Sequence, residues 1–315
     1  MKKAVPAATH LQPVAAGVDL VDVRHLGNPH VIAAAVLDTG SGLAIVDPGP
    51  ESTLANLLGA LEAGGRSPGD IRYLLLTHIH LDHAGATGAM VRRHPGLEVY
   101  VHERGATHLA DPTKLLASAE RLYGAEMQRL WGEFVAVPPV NLRPLQGGER
   151  LRLGQAALEV AYTPGHASHH VSYLHGPTGT AFVGDTAGIR ISGRDYLFPP
   201  TPPPDIDLDL WGASLDRLAQ WQPKRLFLTH FGPAATVGSH LAEMRERLVE
   251  WSERVRASLS EPGDDASRAA AFVRQVGDDV RHHLPADEAQ RFEQGAGLTF
   301  CWYGLARYWR KRLST

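Results

Sequence analysis

The chain has one cysteine, Cys301, among its 315 residues. No intramolecular disulfide can form, and a reducing compartment is the matching environment. No stretch approaches the roughly 18 consecutive apolar residues of a membrane-spanning helix. The opening Met1-Lys2-Lys3 carries the charge of a secretory leader, but Pro6, His10, Gln12 and Pro13 interrupt any apolar run behind it, so no leader is expected. Basic charge is not in excess: the net charge is −3 with histidines neutral, whereas nucleic-acid binders usually carry a basic surplus or stripe. These absences predict a cytoplasmic protein with a small-molecule substrate, no membrane span and no nucleic-acid partner. There is no internal repeat. The one biased segment is Pro199 to Pro204, with five prolines in six residues, which reads as a stiff extended connector.

What is present is ordinary in bulk: 43% hydrophobic and 21% charged residues, enough for a sizeable core. Hydrophobic periodicity gives a mixed order of strands and helices. Strands are predicted at Val18 to Arg24, His30 to Leu37, Leu43 to Val46, Ile71 to Leu76 and Glu98 to Val101. Two further strand pairs follow, Arg150 to Leu153 with Ala157 to Tyr162, and Val171 to Leu174 with Thr180 to Val183. A last short strand covers Leu226 to Leu228. Helices are predicted over Glu51 to Ala63, Ala86 to Arg93, 103–135, Leu208 to Trp221, and nearly everything from Ser239 on, with a polar break near Glu261 to Asp265. The expected organisation is an α/β domain over 1–238 with a helical insertion at about 103–135, followed by a helical region over 239–315.

The chain holds 17 histidines, and their placement matters more than their number. In Thr77-His78-Ile79-His80-Leu81-Asp82-His83, three histidines and an aspartate fall within six residues directly after an apolar strand. A solvated loop rarely has that composition. Imidazole and carboxylate are ligands that divalent zinc, iron and manganese accept. One short loop rarely completes a coordination sphere. Three more strand ends supply candidates: His166 in Thr163-Pro164-Gly165-His166, Asp185 in Val183-Gly184-Asp185, and His230 in Leu228-Thr229-His230. Strands of one sheet that end on the same edge bring such residues together.

This combination, HxHxDH followed by His, Asp and His over roughly residues 18 to 232, resembles the metallo-β-lactamase superfamily. The resemblance implies an αββα sandwich with the site along one edge of two packed sheets. It also implies two divalent metal ions, with zinc first and iron or manganese as alternatives. Carried over position by position, one metal would take His78, His80 and His166, the other Asp82, His83 and His230, and Asp185 would bridge them. Several true β-lactamases of the superfamily use a cysteine near this position. Here the bridge is an oxygen ligand and Cys301 is distant in sequence, which points to the glyoxalase II-like and lactonase-like branches. Asp47, in Asp47-Pro48-Gly49, is similar to an aspartate that orients a ligating histidine; its alternative reading is a turn residue before proline.

The expected reaction is hydrolysis of a thioester, ester or lactone by a hydroxide shared between the metals, with Asp82 as the catalytic group that receives or passes a proton. The alternatives are a persulfide dioxygenase-like oxidoreductase with one iron, and a phosphodiesterase or nuclease of the same superfamily. A flavin-linked di-iron enzyme is disfavoured, because Ile79 stands where a carboxylate ligand would sit. A non-catalytic binding module leaves the ligand set without a use. Tyr123, Met127 and Trp131 have helical spacing and are candidates for the substrate wall, with core packing as the alternative. Tyr196 and Phe198 have the same two readings. Arg190 and Arg194 are candidates for an anionic group of the substrate, against plain solvation. His169 and His170 are assigned supporting roles, His102 a helix cap, and His282 and His283 solvent exposure. The amphipathic stretch Leu298 to Leu313 is expected to pack on the catalytic domain or to form a homodimer contact.

Overall fold

The computed structural model describes residues 10–190 and 196–314. Arg194 and the Met1-Lys2-Lys3 opening lie outside the described residues. Seven strands form one sheet in chain order: β1 Leu11–Ala15, β2 Val18–Asp22, β3 Ala33–Asp38, β4 Leu43–Val46, β5 Ile71–Leu75, β6 Glu98–His102 and β7 Leu142–Leu145. The second sheet holds β8 Arg150–Leu153, β9 Ala156–Tyr162, β10 Val171–His175, β11 Thr180–Phe182, β12 Arg225–Leu228 and β13 Gly232–Ala234, in the order β13-β12-β11-β10-β9-β8.

Side-chain alternation assigns each strand two partners. In β3, Ala33, Ala35 and Leu37 face the second sheet, while Ala34 and Val36 face helices. In β12, Phe227 enters the layer between the sheets, and Leu226 and Leu228 point to the opposite layer. The inter-sheet layer is filled by Leu20, Val46, Leu75, Leu158, Val160, Tyr173, Phe182 and Phe227. Period-two burial on both faces is what a covered sheet requires. On the outside of the first sheet lie α1 Leu54–Ala63, α3 Thr87–Arg93 and α4 Glu103–Ala110, preceded in the site loop by the single turn α2 Leu81–Ala84. The result is the expected αββα sandwich. Leu54, Leu57 and Leu61 of α1 are buried, while Leu58 is half-buried at the margin of the stripe.

Three strands escape periodicity, and all three are edges. β1 contains Pro13, β7 contains Pro144 and β13 contains Pro233. Proline cannot donate to a ladder, so it masks a strand in the sequence, yet it is tolerated at an edge, where it also discourages pairing with another chain.

The insertion folds as α4, α5 Thr113–Tyr123 and α6 Met127–Trp131, leaving 132–135 non-helical. In α5 only Ala119 is fully buried, although the helix is amphipathic. Its apolar face looks into a cavity rather than into the core. Beyond the second sheet lie α7 Leu208–Gln220, α8 Val237–Ser258, α9 Asp265–His283, α10 Ala286–Gly295 and α11 Leu298–Leu313. Trp211, Trp251 and Trp302 anchor one apolar cluster that runs from β11 and β12 through α7 to α11. Gly304 of α11 lies against the Thr201 carbonyl, where a β-carbon would collide with backbone, so the last helix seats directly on the proline segment. Among the described residues no helix is long and apolar enough to cross a membrane.

Candidate metal centre

Strands β4 and β5 run parallel in the first sheet. In the second, β9 and β11 are each antiparallel to β10, and β12 is parallel to β11, so β9, β11 and β12 point the same way. Asp47 follows β4, His78 follows β5, His166 follows β9, Asp185 follows β11 and His230 follows β12. The common edge brings these residues, separated by up to 183 positions, to one place, and α2 supplies Asp82 and His83.

Among the described residues, three groups have ligand atoms within 4.8 Å of one another: His78, His80 and His166; His78, His83 and Asp185; and Asp82, His83 and His230. In the first, His80 Nδ1 lies 2.9 Å from His78 Nε2 and 3.0 Å from His166 Nε2. In the third, His230 Nε2 lies 3.2 Å from Asp82 Oδ2 and 3.3 Å from His83 Nε2. Asp185 sits between them. Its Oδ2 is 3.4 Å from His166 Nε2, and its Oδ1 is 3.3 Å from His83 Nε2 and 3.8 Å from His230 Nε2.

The outer ring nitrogens explain why the inner ones converge. His166 Nδ1 is 2.8 Å from the Pro200 carbonyl, and His230 Nδ1 is 2.7 Å from the Val31 carbonyl. A carbonyl only accepts, so each Nδ1 carries hydrogen and each Nε2 presents a lone pair. His83 Nδ1 donates in the same way to Asp47 Oδ2 at 2.8 Å. Asp47 is fully buried and also accepts from the Thr77 amide at 2.8 Å, and from the Thr77 and Thr229 hydroxyls at 2.7 Å each. Having donated to Asp47, the Thr77 hydroxyl can only accept from His78 Nδ1, 3.1 Å away. One carboxylate thus orients two histidines, one directly and one through a threonine.

This donor set fits divalent cations. Imidazole lone pairs pointing at one another and at carboxylates repel unless positive charge lies between them. Asp185 Oδ1 is buried with no hydrogen-bond partner, another sign that it faces a cation. The same need for positive charge shows when the imidazoles carry it themselves, protonated. Burial would raise the Asp82 and Asp185 carboxyls, but the positive fields of His83 and His230 outweigh it and hold both below the usual range. His80 is pushed down to about 4 by burial and by His166, against the pull of Asp82 and Asp185. Burial also pushes down His83, but Asp185, Asp82 and Asp47 together hold it well above its ordinary value.

His170 supports the Asp185 loop. Its Nε2 accepts from the Asp185 amide at 3.3 Å, while its Nδ1 faces the Thr163 and Thr186 hydroxyls at 3.0 and 3.1 Å. Gly184 between them has φ 48°, and a β-carbon there would press into Thr77 and lie 2.7 Å from His170 Nε2. His102 caps α4, its Nδ1 accepting from the Arg104 amide at 3.2 Å. His282 and His283 are exposed.

A cavity of about 920 Å³ opens over the centre and is lined by His80, Asp82, His166, Asp185 and His230. Of the expected substrate-wall residues, Tyr123, Trp131 and Phe198 line it. Met127, Arg190 and Tyr196 are not among the described lining residues. Tyr196 is instead buried beside Phe292, with the Arg247 guanidinium over its ring. Arg190 donates to the Phe231 and Pro233 carbonyls at 3.4 and 2.7 Å. Cys301, expected to be remote because it is distant in sequence, lines the same cavity, its thiol pushed up to about 11 by burial.

Sequence reasoning missed two groups here. His25 stacks on Trp131, with centroids 5.4 Å apart and planes at 11°. Trp131 meets Tyr123 edge-on at 5.1 Å, and Tyr123 meets Phe300 at 5.7 Å, so an aromatic row links the loop after β2, the insertion and α11. The other group is basic. Arg104, Lys114 and Arg129 line the cavity, although the sequence shows no basic cluster. Arg104 bonds the Tyr162 hydroxyl at 3.1 Å, and Arg129 pairs with Glu126. Only the folding of the insertion gathers these cations.

Known proteins resemble this chain. The model of the metallo-beta-lactamase superfamily matches residues 27–230. A metallo-beta-lactamase fold-containing protein of Sulfurisphaera tokodaii is 30% identical over 55% of this chain and 66% of its own length. A hydroxyacylglutathione hydrolase of Thermosynechococcus vestitus is 29% identical over 56% of this chain and 53% of its own. The matched stretch thus spans less than two thirds of each relative. A crystal structure of a metallo-beta-lactamase family protein from Thermus thermophilus superposes with a TM-score of 0.71 at 24% identity, covering 94% of both chains, a likeness of fold.

Proposed function

The chain belongs to the metallo-beta-lactamase superfamily, and from that premise we propose that it is a hydrolase of esters or thioesters, lactones included, with two divalent cations at its centre. The observation that carries this reading is the position of Asp185 between the group His78, His80, His166 and the group Asp82, His83, His230. The first group would hold one cation and the second another, with one Asp185 oxygen turned to each side. Zinc suits the nitrogen-rich set, and iron or manganese would be accepted by the same ligands. Bound there, the cations supply Lewis acidity, acidifying a water and polarising a carbonyl.

The chain's own residues do the rest. Asp47, the Pro200 carbonyl and the Val31 carbonyl hold the imidazoles in the ligating tautomer. Asp82, less buried than Asp185, faces the cavity and is the carboxylate placed to receive or pass a proton. The aromatic row offers an apolar wall for the acyl group. Arg104 and Lys114 on the cavity wall offer charge to an anionic leaving group, the feature that a carboxylate-bearing thiol would need.

Metal analysis of the purified protein combined with a panel of esters, lactones and thioesters tests this. The expected result is about two metals per chain and turnover of at least one carbonyl class. One iron per chain with oxygen uptake on persulfides, and no ester or thioester turnover, would replace this reading with the dioxygenase alternative.

A further inference from the structure

His25 reaches the cavity on a loop whose backbone is left-handed at Arg24 (φ 51°), Leu26 (φ 52°), Gly27 (φ 82°) and His30 (φ 62°). Three of these are not glycine, and such backbone persists only where its surroundings hold it, often beside a ligand. The Asp22 carboxylate does the holding: Oδ1 accepts from the Arg24 amide at 2.9 Å, and Oδ2 from the His30 amide at 2.8 Å. The imidazole that results is 8% exposed and lies flat on the Trp131 indole.

Both rings line the cavity, and each keeps a buried polar atom, His25 Nδ1 and Trp131 Nε1, with no hydrogen-bond partner. Buried polar atoms nearly always have partners. Two without one, on stacked rings in a cavity that Asp82, His166 and His230 also line, form half of a recognition site. We propose that His25 and Trp131 form a specificity-determining subsite that hydrogen-bonds an oxygen carried by the substrate's otherwise apolar acyl group. This rests on the hydrolase reading for the word acyl, but not for the subsite itself.

The chemistry narrows the ligand. The indole N–H can only donate, so its partner must accept: a carbonyl or hydroxyl oxygen. A neutral imidazole has one donor and one acceptor nitrogen, and a hydroxyl satisfies either. Burial lowers His25 to about 4 even against the pull of Asp82, so the ring is neutral near pH 7 and suits an uncharged oxygen. Leu115, Leu122, Tyr123 and Phe300 add apolar surface for the rest of the acyl group, on a cavity wall that also carries Lys114 and Arg129.

The test uses metal-replete protein, and thioesters of hydroxyacyl, oxoacyl and unsubstituted acyl groups of equal length. The wild type is expected to favour an oxygen-bearing substrate over its plain counterpart by at least about tenfold in kcat/KM, since a site built to bond an oxygen rejects the analogue lacking it. In His25→Phe, which retains the stacked ring, and in Trp131→Phe, that ratio falls toward one. Calorimetry of the free hydroxy, oxo and plain acids on the wild-type protein reads the same preference without turnover. Equal binding of the acids, or a ratio unchanged in both variants, overturns the subsite. Preferential binding of an oxygen-bearing acid with no hydrolysis of any thioester leaves the subsite standing and removes the hydrolase reading instead.

Discussion

Asp47 Oδ2 accepts the Nδ1 hydrogen of His83 at 2.8 Å across 36 residues of sequence, with both side chains fully buried. The pair matters because the same oxygen also takes the hydroxyls of Thr77, which precedes His78, and Thr229, which precedes His230. Three of the loops that build the metal centre are tied to one carboxylate at the end of β4.

Asp47→Asn replaces an acceptor-only group with one that must also donate, and the His83 tautomer loses its anchor. Metal affinity is expected to fall about 10- to 100-fold, read by titration against a competing chelator. Circular dichroism should show the fold retained. Unchanged affinity would remove Asp47 from the centre.

His80→Ala and Asp185→Ala each delete a group that faces both neighbours and cavity. Either variant is expected to lose turnover while remaining folded, with fewer than two metals per chain by elemental analysis. Full activity with metal content unchanged would contradict the assignment of these residues.

Acid should destabilise the metal-free protein in a defined window. Burial lowers His25 to about 4, His170 well below its ordinary value, and His240 below it. Below pH ~6.5 the unfolded chain binds protons that these folded histidines refuse, so stability falls as pH falls from there toward about 4. His83 and His230 are raised, so their contribution is already complete throughout that window and is lost only as pH rises above it. Urea midpoints in chelator should decline from pH 6.5 to 4, with a shallower slope in His25→Phe, whose share is on the order of 1–3 kcal/mol. A flat profile would contradict the assignment.

Trp302 is fully buried in α11, and its Nε1 donates to the Ser258 hydroxyl at 3.0 Å. Trp302→Ala should cost about 3–5 kcal/mol in chemical unfolding. Because α11 seats on the segment whose Pro200 carbonyl orients His166, metal affinity should weaken as well. A loss below about 1 kcal/mol would show that this cluster is not part of the main core.

The strongest local signals were readable in advance. Leu43 to Val46 is apolar at every position, and the structure buries it at every position in a strand antiparallel to β3 and parallel to β5. The segment from His78 to His83 announces metal chemistry by composition, because few other uses need three imidazoles and a carboxylate so close together. His166, Asp185 and His230 are each ordinary alone; their place after apolar strands made them candidates. Prolines hid β1, β7 and β13, because a residue that breaks ladders in general is accepted at an edge. Trp131 was a candidate from helical spacing and Tyr196 from its place before the proline segment, and packing separated them, placing Tyr196 among core aromatics and Trp131 on the cavity wall.

By itself, then, the sequence determined the alternation of strands and helices and the residue types at the candidate metal centre, since periodicity and ligand chemistry are local properties; the sandwich itself was implied by the HxHxDH resemblance. Only the tertiary structure decided which side chains face the cavity. His25 meets Trp131, Cys301 lines the same cavity as the centre, and Arg104 and Lys114 share its wall, through loop paths and helix docking that depend on contacts between residues too far apart in the chain for any local pattern to record.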